Sequence, residues 1–271
     1  MLPPQHPFRR AQRRRAATAA RAGGFSPSQI SAVSAWLRLA DSSQSGGEWT
    51  PSIVDVLNAG NPVTQTDVDR RAAVGTSANG LPTMVFDGSD VHVWPLAAGT
   101  NNRTDTLGFW IWFKPATVAS VQRLLNITIA TGAAVTFEKL SLYANNRTLV
   151  CEAYITNATG RVATTATNVL TAGTWTSIYL QYDSSRGGDA NLAMYTDGTS
   201  RSLNYANIGV GGTLGALQSP TGNCLIGGFS NVDATVQGID TNGELGPNLF
   251  ALNANLTADQ IAALHAFEAP T

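Results

Sequence analysis

Lysine is nearly absent: Lys114 and Lys139 stand against fifteen arginines, and charged residues make up 13 % of the 271-residue chain. So few long charged side chains disfavour exposed long helices, and the abundant Gly, Thr, Ser and Asn favour strands and turns. Cysteine is scarce too. Cys151 and Cys224 lie far apart, in neither a metal-ligand nor a redox spacing, which leaves two buried thiols or one disulfide as readings. No run approaches the roughly 18 apolar residues of a membrane-spanning helix, so a span is not expected. The three histidines, His6, His92 and His265, occur in no G-x-S-x-G or H-E-x-x-H context and are read as structural.

Carboxylates are missing from the first forty residues, where Arg9, Arg10, Arg13, Arg14, Arg15 and Arg21 are concentrated before Asp41. Residues 22 to 271 then hold 11 basic and 18 acidic groups, a net of about −7: a basic leader on an acidic body. The small-residue stretch after the arginines lacks the apolar core of a secretory signal, so no signal peptide is expected. Nor does the leader carry an apolar stripe with which to fold alone. Guanidinium forks bind carboxylates and phosphates bidentately, and the six arginines are read as docking groups, with a solvated tail that aids solubility as the competing reading. Nucleic acid is not the expected partner, because no aromatic residues interleave them and the acidic body would be repelled.

What is present from residue 25 onward is a series of short apolar or alternating runs separated by Gly, Asn, Asp and Pro clusters. The clearest are TMVFDG, TLGFWIWFKP, KLSLYANNRTLVCEAYI, WTSIYLQYD, NLAMYTDG and NCLIGGFS. Such runs predict an antiparallel sandwich or barrel. Asn145-Asn146 and Asp197-Gly198 predict tight hairpins. Residues 42 to 62 are the least regular part and are expected to run as a long excursion over one sheet. Two capping devices bracket the body: F-S-P-S-Q-I at 25 to 30 and L-T-A-D-Q-I at 256 to 261, each with a hydroxyl N-cap, a Gln three residues on and a hydrophobic staple. In TLGFWIWFK, alternation places Leu107, Phe109, Ile111 and Phe113 on one face and Gly108, Trp110, Trp112 and Lys114 on the other. The first set fills a core; the tryptophans need a second cover or are displayed.

The order of these landmarks resembles the laminin-G-like, concanavalin A-like jelly roll. AWLRLADSS is similar to that family's opening strand, VFDGSDVHVW to its Phe-Asp-Gly strand, TLGFWIWFKP to its aromatic strand and WTSIYLQYD to its Trp-led strand. NLAMYTDG, CLIGG and LFALNANLTADQIAAL are similar to the later hairpin, the Ile-Gly strand and the closing strand and helix. The likeness covers roughly residues 34 to 265. The chain departs from it at GELGPNLFAL, where Pro247 interrupts the approach to the last strand.

The resemblance implies an all-β, antiparallel two-sheet jelly-roll sandwich with short flanking helices, residues 26 to 271, preceded by the basic arm, residues 1 to 25. Proteins of this kind include phage head fibres, capsid decoration proteins and tail adhesins, and modules on gene-transfer-agent heads. It therefore implies a virion surface protein, assembled in a bacterial cytoplasm and docked on capsid or tail proteins through its arm. Such a protein would be a homo-oligomer and would bind host glycans; a free carbohydrate-binding module or a glycan-active enzyme is the alternative. Exposed aromatics with neighbouring Asn and Asp suit sugar rings, which makes Trp94, Trp110, Trp112, Tyr143 and Tyr154 the glycan candidates, with core packing as the competing reading. Members often bind calcium, which would draw on Asp87, Asp90, Asp240, Asn242 and Glu244; plain turn chemistry competes with that reading, and no cofactor is required. Sandwich-fold glucanases carry carboxylates alternating on one strand, and no Glu-x-Asp-x-x-Glu array exists here, so catalysis is not expected.

Overall fold

The computed structural model describes residues 25–49, 52–96, 100, 103–131, 135–156, 159–209, 215–217, 223–230, 236–237 and 241–271. The arginine arm and Asp240 lie outside them. Two antiparallel sheets face one another. The first runs, from one edge, through Thr199–Ser200, Leu192–Thr196, Thr176–Asp183, Thr106–Pro115, Asn242–Leu252, Pro82–Asp87, Ala73–Thr76, Glu48–Trp49 and Gln44–Ser45. Val33–Arg38 pairs alongside the later half of Asn242–Leu252. The second runs through Leu203–Ile208, Thr159–Thr165, Thr148–Thr156, Val135–Asn145, Gln122–Thr131, Cys224–Ile226, His92–Trp94, Val63–Thr64 and Ser52–Ile53.

Alternation along Thr106–Pro115 works as its sequence predicts. Leu107, Phe109, Ile111 and Phe113 enter the core between the sheets, with Ile178, Leu180, Leu245 and Leu249 beside them and Leu125, Leu142 and Cys151 opposite. Trp110 points the other way into a second apolar layer with Ile30, Trp36, Tyr179, Phe250, Ile261 and Leu264. Trp36, Phe250, Trp110 and Tyr179 occupy one row across four paired strands, with ring centroids 5.8 Å apart for Trp36 and Phe250 and 5.9 Å apart for Trp110 and Tyr179. The helix Ala258–Ala266 covers this row. Thr257 caps it by accepting from the Gln260 N–H, and the Gln260 side chain accepts from the Thr257 N–H at 2.9 Å. The earlier capping device produces only a 3-10 turn, Pro27–Gln29, and Phe25 packs edge-on against Phe267 at 5.9 Å.

Two expectations shift by small amounts. In the first hairpin Asn145 still pairs with Thr148, and the turn residues are Asn146 and Arg147, with φ 50° and 71°; the Asp197-Gly198 turn is as expected, at 50° and 72°. Residues 42 to 62 do not cross over a sheet face. They step from the first sheet, through Gln44–Ser45 and Glu48–Trp49, to the second at Ser52–Ile53. Pro247 falls where the pairing of Asn242–Leu252 with Thr106–Pro115 shifts register, the kind of place at which a strand tolerates the missing N–H.

The crossing segment is held by Asp55, whose carboxylate is fully buried. Its Oδ1 accepts from the N–H groups of Trp36, Leu57 and Asn58, each at 3.1 Å. Its Oδ2 accepts from Asn58 Nδ2 at 3.2 Å and Trp94 Nε1 at 3.3 Å. Five donors compensate one buried charge, and two of them, Trp36 and Trp94, belong to different sheets. Truncating the acceptor strands several buried donors together. Asp55→Ala is therefore expected to lower unfolding stability by about 3 kcal/mol or more in urea denaturation; a loss under about 1 kcal/mol would mean that the anchor is dispensable.

Candidate functional site

The outer face of the second sheet carries a compact polar-aromatic cluster. In Val135–Asn145 the core takes Leu140, Leu142 and Ala144, so Ser141 and Tyr143 face outward; in Thr148–Thr156 it takes Leu149, Cys151 and Ala153, so Glu152 and Tyr154 face outward. Register then places Ser141 opposite Glu152 and Arg123 opposite Tyr143. The Glu152 carboxylate accepts from both tyrosine hydroxyls, at 2.7 Å from Tyr143 and 3.1 Å from Tyr154. The Arg123 guanidinium lies 4.3 Å from the Tyr143 ring centroid and donates to Ser141 Oγ at 3.3 Å. Arg123, Tyr143, Glu152 and Tyr154 are all half-exposed.

Backbone detail at one end of the cluster is specific. Gly160 pairs with Tyr154, and any side chain there would stand 2.3 Å from the Ala153 carbonyl oxygen. The register slips just beyond Tyr154, and such a slip re-aims neighbouring side chains. The arrangement offers ring faces, a cation on one side and a carboxylate on the other. It suits a ligand with an apolar face edged by hydroxyls.

Of the five aromatic residues singled out in the sequence, the structure brings together Tyr143 and Tyr154 and withdraws the other three. Trp94 is a core residue tied to Asp55. Trp110 is sealed in the aromatic row beneath the closing helix. Trp112, 5 % exposed, is stacked on His265 at 5.3 Å. Trp110 and Trp112 sit on a strand that is covered on both faces, and Trp94 points into the core between the sheets. Glu152 and Arg123 escaped sequence reasoning. The alternation in Cys-Glu-Ala-Tyr at 151 to 154 does place Glu152 on the face of Tyr154, but the approach of Arg123 depends on a pairing register that no local pattern encodes.

The described members of the acidic set divide: Asp87, Asp90 and Asn242 are neighbours, and Glu244 is engaged elsewhere. Asn242 pairs with Asp87 between neighbouring strands. Asp87 accepts from the backbone and hydroxyl of Ser89 at 2.8 and 2.6 Å, while Asp90 accepts from the Asp87 N–H at 3.1 Å, which is Asx-type turn chemistry. Glu244 instead pairs with Lys114 at 2.7 Å and accepts from Thr83 at 2.9 Å. Among the described residues no three His, Cys, Asp or Glu side chains gather as a metal-binding group. Cys151 and Cys224 are both buried free thiols, and burial raises the pKa of each.

No protein-family model matches the chain, and no curated protein matches it by sequence. Solved structures do share its shape. A Trypanosoma rangeli sialidase in complex with 2,3-difluorosialic acid superposes with a TM-score of 0.53 at 14 % identity, over 87 % of this chain and 33 % of the sialidase. The receptor-binding domain of botulinum neurotoxin type G does so with 0.50 at 11 % identity, over 87 % and 51 %. The binding domain of serotype D gives 0.51 at 9 %, over 86 % and 50 %. The chain thus spans about a third of the sialidase and about half of each toxin domain, and at these identities the likeness is one of β-sandwich fold.

Two groups beside the acidic turn titrate in opposite senses. His92 accepts from the Ala72 N–H through Nε2; burial, with Arg71 nearby, lowers its pKa to about 4. Below its ordinary value of 6.5 the unfolded chain takes up a proton that the folded ring refuses, so this stabilisation is lost as pH falls from 6.5 toward 4. Burial instead raises Asp90 to about 6; its contribution is present at low pH and lost as pH rises from 4 to 6. The difference in unfolding stability between wild type and His92→Gln isolates the first effect. It is expected to shrink by roughly 3 kcal/mol between pH 7 and pH 4, and a constant difference would refute the assignment.

Proposed function

We propose that this protein is a glycan-binding β-sandwich subunit that presents the outer face of its second sheet to carbohydrate. The observation that carries the reading is the cluster in which Tyr143 and Tyr154 both donate to Glu152 while Arg123 lies over Tyr143. A sugar ring stacks on a tyrosine face, Glu152 accepts from its hydroxyls, and Arg123 donates. The reading is one of binding: among the described residues the cluster holds one carboxylate, engaged by two hydroxyls, where a carboxylate-pair glycosidase places two.

The wider reading is a surface subunit of a phage-like particle, a head fibre, decoration protein or tail adhesin, docked through Arg9, Arg10, Arg13, Arg14, Arg15 and Arg21 on an acidic surface of capsid or tail proteins. The arrangement of the body supports this polarity. Phe25, the last residue of the arm, packs against the apolar layer on the outer face of the first sheet. The tyrosine cluster lies on the outer face of the second. An arm docked on one side leaves the binding face pointing away.

The first test is a glycan array followed by calorimetry on the full chain. Glu152→Gln should weaken the best glycan by roughly tenfold, the worth of about one charged hydrogen bond, and Tyr154→Ala should weaken it further; unchanged affinity in both would remove the cluster as the site. For docking, deletion of residues 1 to 24 should leave folding and glycan binding intact and abolish incorporation into the parent particle. Full-chain incorporation should fall steeply with added salt; normal incorporation of the truncated chain would overturn the docking role.

A further inference from the structure

The outer face of the first sheet is covered by the closing helix over the aromatic row, and beyond the end of that helix it changes character. Lys114 and Glu244 face one another across paired strands, with an ion pair of 2.7 Å. Thr83 donates to the second oxygen of Glu244 at 2.9 Å. Trp175 stands beside them, with the Lys114 ammonium 5.6 Å from its ring centroid. Of the six tryptophans, the other five are buried and Trp175 is half-exposed.

Two glycines keep the surface around this group low. A side chain at position 246 would stand 2.9 Å from Trp112 Cβ and 3.0 Å from the Trp175 ring, and one at position 75 would stand 2.3 Å from Thr83 Oγ1 and 3.3 Å from the Glu244 carboxylate. Both are positions where a Cβ would fill the space beside the indole or the carboxylate. Trp112, underneath, keeps its Nε1 without a hydrogen-bond partner among the described residues.

The geometry points to a second binding site here, built from Trp175, Lys114, Glu244 and Thr83 on a floor of Gly75 and Gly246, which takes a neutral pyranose. An indole face accepts the apolar face of a sugar ring. The ammonium and carboxylate, already in contact, present a donor and an acceptor at the spacing of two vicinal hydroxyls. Charge selects against acidic sugars: Glu244 neutralises Lys114, so a sugar carboxylate would meet the Glu244 carboxylate beside a cation that is already paired. The site lies on the opposite sheet from the tyrosine cluster and does not depend on it; with both occupied, the sandwich is bivalent.

The burial of the other tryptophans makes a specific readout available, acrylamide quenching of Trp175 fluorescence in the full chain. The probes are methyl glucoside, methyl galactoside, N-acetylglucosamine and N-acetylneuraminic acid at millimolar concentration. At least one neutral sugar is expected to halve the quenching constant, and N-acetylneuraminic acid to leave it unchanged. Trp175→Phe should remove the quenchable emission, and Glu244→Gln should keep the quenching but lose the protection. Failure of every neutral sugar to protect, or wild-type protection in Glu244→Gln, would overturn the site. Tyr143→Ala with Tyr154→Ala separates the two readings. Protection at Trp175 that survives these changes supports this site whatever the array reports for the cluster, and array binding abolished by them without protection at Trp175 leaves only the cluster.

Discussion

A strand buried on both faces has to be covered twice, and Thr106–Pro115 is buried almost throughout. Its inner residues need the second sheet; its outer tryptophans need something on the other side, which the closing helix and the residues around Phe25 supply. Losing Trp110 or Phe250 from that layer would forfeit burial on the order of a large core aromatic, about 3 to 5 kcal/mol. Most of the outer surface of the first sheet is thereby spent on stability. Half-exposed polar and aromatic groups remain in two places, around Glu152 on the outer face of the second sheet and around Trp175 at the end of the first beyond the helix.

Polar anchors fix how the two sheets meet at one edge. Asp55 collects donors from Trp36 and Trp94, one from each sheet, so its charge is tolerated in the interior because its acceptor capacity is filled. The same economy appears at the surface sites. Glu152 is held by two tyrosine hydroxyls and Glu244 by Lys114 and Thr83. In each case neighbours fix the orientation of a carboxylate, and for the proposed sites such pre-organisation lowers the entropy cost of binding.

Legibility in the sequence followed the range of the interaction that carried the information. The hairpin at Asp197-Gly198, the capping box at Thr257 and Gln260 and the two faces of TLGFWIWFK were readable because residues within a few positions of one another decide them. The site was half readable. Tyr143 and Tyr154 were identifiable as aromatics on short strands, but so were Trp94, Trp110 and Trp112, and composition cannot distinguish a displayed ring from one under a helix.

What the chain determined by itself was the sandwich, the alternation of its strands and the separation of a basic leader from an acidic body, since these rest on side-chain period, turn chemistry and charge count. Tertiary structure alone decided which aromatics were left uncovered, that Arg123 would meet Tyr143, and that Glu244 would pair with Lys114 rather than with the acidic turn. Those outcomes depend on strand register and on what packs over each face. A shift of one residue in a pairing reverses which side chains face outward, and residues far apart in the chain set that pairing.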